Sequence, residues 1–242
     1  MKYLIGIQPT GRLHIGNYLG CLKKGLKYQE EGHDVTFLIA NYHSLTTDSY
    51  TDATEQELIR LGCKNIVRQK PPYTELFFKL CCKMNLGTLE KMPQYKDKKD
   101  NAEYNLGLLL YPVLMAADII INDPDIVIIG RDQVSHLDLC NDIAKRVGVT
   151  KYFNYEFGDV EKVMALNKPD NKMSKSQGDK GVLYLFDEDY STKLKKANMN
   201  EDGLKNMHLI AKNIGIDTTN IESNLELKKL VADKMIYLFK NI

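Results

Sequence analysis

Apolar and polar positions follow two different periods along the chain. Short continuous apolar runs predict buried strands at residues 3–7, 35–40, 75–78 and 125–130. Apolar residues spaced three and four apart predict helices, which fall at residues 18–31, 54–68, 106–121 and 133–147. Strands that alternate with helices predict an α/β fold with a doubly wound parallel sheet, in which a ligand binds at the carboxyl ends of the strands.

The pattern changes after about residue 190. Lysine-rich segments at residues 202–214 and 224–239 have a helical period, and the residues between them are turn-like. We therefore expect one large α/β domain at residues 1–190 and a small C-terminal helical appendage at residues 191–242. A chain of 242 residues is long enough to bury a sizeable core of this kind.

The composition is that of a soluble globular protein, with 43% hydrophobic and 27% charged residues. Because the net charge is only +1, a nucleic-acid partner would have to be bound by a local patch of lysine and arginine. Five cysteines, an odd number without a CxxC pair, favour a reducing compartment. The sequence opens directly on strand-like residues and has no apolar run of membrane-spanning length, so we expect a cytoplasmic protein.

The first segment with residues suited to binding or catalysis is the turn that follows the first predicted strand. It contains His14, Gly16 and Asn17 at the start of a predicted helix. Unpaired N–H groups and the helix dipole favour a phosphate at such a turn, and Gly16 lets the backbone approach it closely. The imidazole of His14 could add a donor, although a histidine at such a turn is more often a helix cap or a surface residue.

A second segment, Lys172-Met173-Ser174-Lys175-Ser176, lies in a loop rich in Pro, Asp, Asn and Gly. Two lysines on a mobile loop can hold a leaving pyrophosphate and neutralise its charge as it separates. A lysine run is usually a solvated surface. Here the order of the residues, together with the upstream phosphate turn, favours the catalytic interpretation.

Asp118 is the only charged residue in the almost wholly apolar segment 106–121. As a helix this segment must be buried nearly all round, so an acid within it needs a specific partner. That partner is either a structural one, such as a lysine or a cap, or a ligand.

Together these segments resemble the class I aminoacyl-tRNA synthetases and, among them, the bacterial-type tryptophanyl-tRNA synthetases. Residues 6–11 and 13–20 are similar to the family's opening motif, and residues 107–119, with 130–133 and His136, are similar to its amino-acid-binding segment. The resemblance implies a Rossmann-like class I catalytic domain with a shortened C-terminal helical domain.

The resemblance also implies a role for individual residues. Asp118 would accept the indole N–H of tryptophan, and Tyr111 with Gln133 would bind the α-ammonium. The implied catalytic residues are His14, Asn17, Lys98, Lys172 and Lys175. The implied ATP-binding residues are Gln8, Thr10, Gly16, Gly130, Asp132, Met173 and Ser174. The implied substrate-binding residues are Asp118, Met115, Tyr111, Gln133, His43, Ile5 and Gly6.

The reaction implied by the resemblance is the activation of L-tryptophan by ATP. The tryptophan carboxylate attacks the α-phosphorus, pyrophosphate leaves, and the adenylate is passed to the terminal adenosine of tRNA(Trp). Mg²⁺ would act with ATP without a dedicated protein site, and the family implies a homodimer.

Three other functions compete with this one. A tyrosyl-tRNA synthetase shares the ATP motifs, but residues 115–118 lack the polar residue expected beside the methionine for reading a phenol. A synthetase-like protein that senses tryptophan or binds an adenylate is suggested by the small appendage, and the intact His14, Asn17, Lys172 and Lys175 argue against it. A small nucleotidyltransferase with the same phosphate turn is disfavoured by the lysine loop and the Asp118 segment.

Overall fold

A parallel five-stranded sheet forms the centre of the protein. The computed structural model describes residues 1–47, 50–93, 95, 105–175 and 178–240. The strands are β1 (Lys2–Ile7), β2 (Asp34–Ile39), β3 (Asn65–Arg68), β4 (Ile126–Ile129) and β5 (Asn154–Phe157). Their order is β3-β2-β1-β4-β5 and every pairing is parallel. The predicted doubly wound sheet is therefore confirmed, and the strand order reverses beside β1, where such folds bind ligands.

Helices connect the strands and form the C-terminal region. The first is continuous from an α-helical turn through a π-helical segment into an α-helix. Among the described residues the helices are α1 (Ile15–Asn17, then Tyr18–Leu22 and Lys23–Glu30), α2 (Asn41–Ser44), α3 (Ala53–Arg60), α4 (Pro71–Cys81), α5 (Leu86–Leu89), α6 (Leu106–Asn122), α7 (Val134–Arg146), α8 (Tyr190–Lys195), α9 (Glu201–Asn213) and α10 (Asn224–Phe239).

The sheet separates two apolar clusters, one on each face. Successive residues of a strand point to opposite faces. Accordingly Ile5 belongs to the cluster that contains α1 and the C-terminal helices, and Leu4 belongs to the cluster that contains α6 and α7. This burial on both faces explains why the central strands appear in the sequence as continuous apolar runs.

Two of the predicted elements are wrong, and both lie between residues 54 and 78. The predicted helix 54–68 ends early, because α3 stops at Arg60 before Gly62, whose φ is +90°, and residues 65–68 form β3. The predicted strand 75–78 lies inside α4, which starts on Pro71 and Pro72, where proline suits the first turn of a helix.

β5 was not predicted, and the reason is its position. It is the edge strand next to β4, and Asn154 and Tyr155 are exposed. An edge strand with one exposed end carries neither a continuous apolar run nor a clear alternation, so its pairing with β4 is the only signal that defines it.

The C-terminal helices pack on the same cluster as β1 and α1. α9 and α10 match the predicted helices 202–214 and 224–239 within one residue. Phe239 of α10 contacts Tyr18 edge-to-face, with ring centroids 5.0 Å apart. The division into a domain at 1–190 and an appendage at 191–242 stays a prediction. No helix among the described residues is long and apolar enough to cross a membrane.

Gly158 follows β5 and lies against the backbone of α1. A Cβ atom at this position would come within 1.7 Å of the Gly20 carbonyl oxygen. Because this clash is with backbone, β5 and α1 would have to separate. We expect Gly158→Ala to lower the free energy of unfolding by about 1–3 kcal/mol, measured by urea unfolding with circular dichroism.

Gly20→Ala is the matched control for this prediction. A Cβ atom on Gly20 meets no atom within 4 Å, and alanine favours a helix, so its urea midpoint should equal or slightly exceed that of the wild type. Equal midpoints for the two variants would contradict the close packing of β5 against α1.

Candidate active site

A cleft of about 750 Å³ opens at the carboxyl ends of β1, β2 and β4. A smaller cavity of about 370 Å³ adjoins it beside the end of β1. The residues with a predicted role that line the cleft are Gly6, Gln8, His14, Gly16, Asn17, His43, Tyr111, Met115, Asp118, Gly130, Asp132, Gln133, Lys172, Met173 and Ser174. Those that line only the smaller cavity are Thr10 and Lys175. Segments that are far apart in the chain are thus brought together at one edge of the sheet.

Two predicted site residues are not found in the cleft. Ile5 is fully buried on the opposite face of the sheet, against Phe37 and Gly25. Its neighbours Leu4 and Gly6 line the cleft instead, since side chains alternate along a strand. The expectation that Ile5 contacts the substrate is therefore corrected. Lys98 lies outside the described residues, as does Ser176.

His14 caps the first turn of α1. The His14 Nδ1 accepts a hydrogen bond from the Gly16 backbone N–H at 3.1 Å. The His14 backbone N–H donates to Asn17 Oδ1, also at 3.1 Å. A Cβ atom on Gly16 would lie 2.9 Å from the His14 ring, so a larger residue at position 16 would displace the ring from this position. The sequence motif is therefore a reciprocal capping box that fixes the turn.

The imidazole of His14 is held in one protonation state. Burial lowers its pKa to about 4, and the positive charges of Lys175 and Lys172 add to this effect. Since Nδ1 accepts from Gly16, the neutral ring carries its proton on Nε2. His14 therefore presents a donor from a turn whose backbone amides also favour an anion.

The lysine loop is anchored at its centre and reaches the phosphate turn at its end. Met173 is buried, and its N–H donates to the Val163 carbonyl at 2.8 Å. Lys175 Nζ donates to Thr10 Oγ1 at 3.0 Å. Burial lowers the pKa of Lys175 to about 8, while the nearby carboxylate of Glu57 opposes the shift. The end of the cleft beside α1 is thus cationic.

The opposite end of the cleft contains the buried carboxylate of Asp118. His43 Nε2 lies 3.0 Å from Oδ2, and Gln69 Nε2 donates to Oδ1 at 2.6 Å. Burial raises the pKa of Asp118, whereas the hydrogen bonds from His43 and Gln69 act in the opposite direction. Met115 lines the cleft beside this group. Among the described residues, Asp118 has no lysine partner and is held by His43 and Gln69.

Gln69 is a site residue that the sequence interpretation missed. It follows β3, and its Oε1 also accepts from the Tyr42 N–H at 2.7 Å. The residue therefore links the ends of β2 and β3 to α6. It was missed because residues 54–68 were predicted to be a helix, which concealed the strand end that places Gln69 here.

A chain of hydrogen bonds lies between the two ends of the cleft. Tyr111 Oη is 2.8 Å from His136 Nε2, and His136 Nδ1 is 2.9 Å from Gln133 Oε1. Gln133 Nε2 donates to Asp132 Oδ2 at 3.1 Å. His136 is completely buried, and burial lowers its pKa to about 4 against the opposing charge of Asp132. Polar groups of α6 and α7 are thus fixed relative to each other.

These groups define what the cleft can bind. Its cationic end suits phosphates, and its apolar end, with one buried acid, suits a flat apolar group that carries a single hydrogen-bond donor. Within the described residues, no three His, Cys, Asp or Glu side chains are grouped as metal ligands.

Comparison with known proteins finds relatives over almost the whole chain. A tryptophan–tRNA ligase of Mycoplasma genitalium is 33% identical over 280 aligned residues, which cover 99% of this chain and 80% of the relative. The crystal structure of tryptophanyl-tRNA synthetase from Mycoplasma pneumoniae has a TM-score of 0.83 at 30% identity, and the match covers 100% of this chain and 86% of that one.

A second solved structure contains ligands. The tryptophanyl-tRNA synthetase of Campylobacter jejuni, complexed with ADP and tryptophan, has a TM-score of 0.76 at 27% identity and covers 99% of this chain and 86% of that one. The family model for class I tRNA synthetases (W and Y) matches residues 1–61 and 66–234. With this match, and with a phosphate turn, a lysine loop and an acid-containing apolar pocket around one parallel sheet, the chain belongs to the class I tRNA synthetases of the tryptophan and tyrosine family.

Proposed function

We propose that this protein is a tryptophan–tRNA ligase. It activates L-tryptophan with ATP to give tryptophanyl-adenylate and pyrophosphate, and then transfers the tryptophanyl group to the terminal adenosine of tRNA(Trp). The observation that carries the proposal is the buried Asp118 carboxylate at the apolar end of a cleft whose other end is cationic. The curated relatives with this activity support it.

The indole ring fits the apolar end of the cleft. Each carboxylate oxygen can accept two hydrogen bonds, so Asp118 can accept an indole N–H in addition to the bonds from His43 and Gln69. Those two donors restrain the carboxylate, and Met115 lines the wall on which the ring would pack. An indole has one hydrogen-bond donor and a large apolar face. These match the single acceptor and the apolar wall at this end of the cleft.

The cationic end would bind ATP and stabilise the transition state of the first step. A tryptophan carboxylate oxygen forms a bond to the α-phosphorus, and the bond from that phosphorus to the bridging oxygen of pyrophosphate breaks. The Nε2–H of His14 and the charges of Lys172 and Lys175 would stabilise the negative charge on the departing pyrophosphate. Mg²⁺ would enter as a complex with the ATP phosphates, which supply its ligands.

The remaining site residues are assigned to binding. Tyr111 and Gln133 would bind the α-ammonium of tryptophan, and Gly130 with Asp132 would contact the ribose of ATP, all from the cleft wall. No protein nucleophile is needed, because positioning and charge supply the catalysis.

We further propose a cytoplasmic homodimer. The exposed apolar side chains of Phe78, Leu86 and Leu106 support an association of two copies, since α4 and α5, which carry the first two, both pack on α6, which carries the third. Free thiols at all five cysteines support a reducing compartment. The mass in solution, measured by light scattering, tests the dimer.

Pyrophosphate exchange into ATP with each of the twenty amino acids tests the function. We expect exchange with tryptophan, followed by charging of transfer RNA with tryptophan. Exchange with tyrosine alone would contradict the proposal in favour of a tyrosyl-tRNA synthetase. Exchange with tryptophan but no charging would favour a protein that senses tryptophan or retains the adenylate.

The role of Asp118 is tested by Asp118→Asn, which keeps the shape but removes the charge. Loss of a hydrogen bond to a charged acceptor costs about 1.5–3 kcal/mol. The KM for tryptophan in pyrophosphate exchange should therefore rise about 10- to 100-fold, with little change in the KM for ATP.

Asp138→Asn is the control, because this acid is exposed on α7. It should leave both constants unchanged. If Asp118→Asn changed the two KM values equally, or neither, Asp118 would not be the group that reads the indole.

The role of Lys175 is tested by the pH dependence of pyrophosphate exchange. Its pKa of about 8 means that the charge is present below this pH and is lost above it. We expect kcat/KM for ATP to fall as the pH rises through about 8, since this parameter reports the free enzyme. Lys175→Ala should lower kcat by about 10²-fold.

Lys175→Arg is the matched variant, since a guanidinium stays charged throughout this range. It should remove the alkaline decline. The same decline in the arginine variant would assign the titration to another group.

A further inference from the structure

His136 is a completely buried polar residue that has no part in the reaction described above. It lies on α7 between Tyr111 of α6 and Gln133, and it bonds to both. Both ring nitrogens of this buried imidazole are hydrogen-bonded. In a neutral ring one nitrogen donates and the other accepts, so the ring determines the direction of the hydrogen bonds of its two neighbours.

The direction of the hydrogen bonds can be deduced from one end of the chain. The carboxylate of Asp132 can only accept hydrogen bonds, so the amide nitrogen of Gln133 must face it. Accordingly, Gln133 Nε2 lies 3.1 Å from Asp132 Oδ2. The amide oxygen of Gln133 then faces His136 Nδ1, which must carry the ring proton. In the neutral ring Nε2 is left as an acceptor, and burial keeps the ring neutral by lowering its pKa to about 4.

The last bond in the chain determines the behaviour of Tyr111. Because His136 Nε2 accepts, the hydroxyl proton of Tyr111 is directed towards His136 at 2.8 Å. That proton is not available to a ligand, and the hydroxyl oxygen can meet a ligand only as an acceptor. Tyr111 lines the cleft, so the oxygen that it offers there suits a donor such as an ammonium group.

We propose that His136 is a positioning residue that sets Tyr111 as a hydrogen-bond acceptor and thereby makes the cleft selective for the α-ammonium of its amino acid. Asp132 determines the direction of every hydrogen bond in this chain. The residue that would contact the ribose of ATP therefore also makes Tyr111 an acceptor at the ammonium site. The inference rests on the proposed function, since it assumes that tryptophan occupies the cleft.

Two variants of His136 separate its two nitrogens. His136→Gln places an amide near the position of Nε2, where its oxygen can still accept from Tyr111. His136→Asn places an amide near Nδ1 and leaves nothing to accept the Tyr111 proton. The chain contains no tryptophan, so all indole fluorescence comes from the ligand, and its change on titration with protein gives the Kd.

The test compares L-tryptophan with indole-3-propionate, which lacks the ammonium group. We expect His136→Asn to weaken the binding of tryptophan about tenfold, the effect of losing one hydrogen bond to a charged group. Its Kd for indole-3-propionate should change less than about twofold, and His136→Gln should bind both ligands nearly as the wild type does. If His136→Asn does not fold, His136→Met, which fills a similar volume without hydrogen-bonding groups, should give the same loss of discrimination.

Several results would overturn the inference. Equal weakening of both ligands by His136→Asn would indicate a purely structural residue, and unchanged binding of both would indicate no role. Selective weakening of tryptophan by His136→Gln would show that an acceptor near Nε2 is not sufficient. Failure of the wild type to bind tryptophan or to support exchange with it would instead reject the proposed function.

Discussion

The parallel pairing of β1 with β2 on one side and β4 on the other is the constraint on which the site depends. Parallel strands end at the same edge of a sheet, so the residues that follow them meet there. His14 follows β1, His43 follows β2, Gln69 follows β3, Asp132 follows β4 and Gly158 follows β5. If β1 ran in the opposite direction, the turn that contains His14 would lie at the other edge of the sheet, away from the remaining groups.

Within this frame the polar groups of the cleft restrain one another. The capping box orients the His14 ring, and two donors hold the Asp118 carboxylate. Such groups are oriented before a ligand arrives, so little reorganisation is needed when charge develops. The cost is the burial of polar groups, which is tolerated because the His14 ring and the Asp118 carboxylate are both hydrogen-bonded within the protein. Burial also lowers the pKa values of His14 and Lys175, so the packing around these two residues affects the charge that they carry at a given pH.

Much of the fold could be predicted because the central elements have strong periods. β1, β2, β4, α6, α7, α9 and α10 appear within one or two residues of their predicted bounds. The two missed strands share one physical cause. β3 and β5 are short strands with partial exposure, which exist because a neighbouring strand pairs with them, and the signal for such pairing is not local. Gln69 was missed for the same reason, since its role follows from the end of β3.

The sequence by itself determined the chemistry of the protein, namely the phosphate turn, the lysine loop and one acid in an apolar helix, because each depends on residues close together in the chain. Tertiary structure alone decided how these parts act together. It placed Ile5 on the far face of the sheet, brought Gln69 to Asp118 across 49 positions and joined Tyr111 to His136 across 25. The direction of a hydrogen bond depends on which partner packing supplies, and for residues so distant in the chain only the folded protein makes that choice.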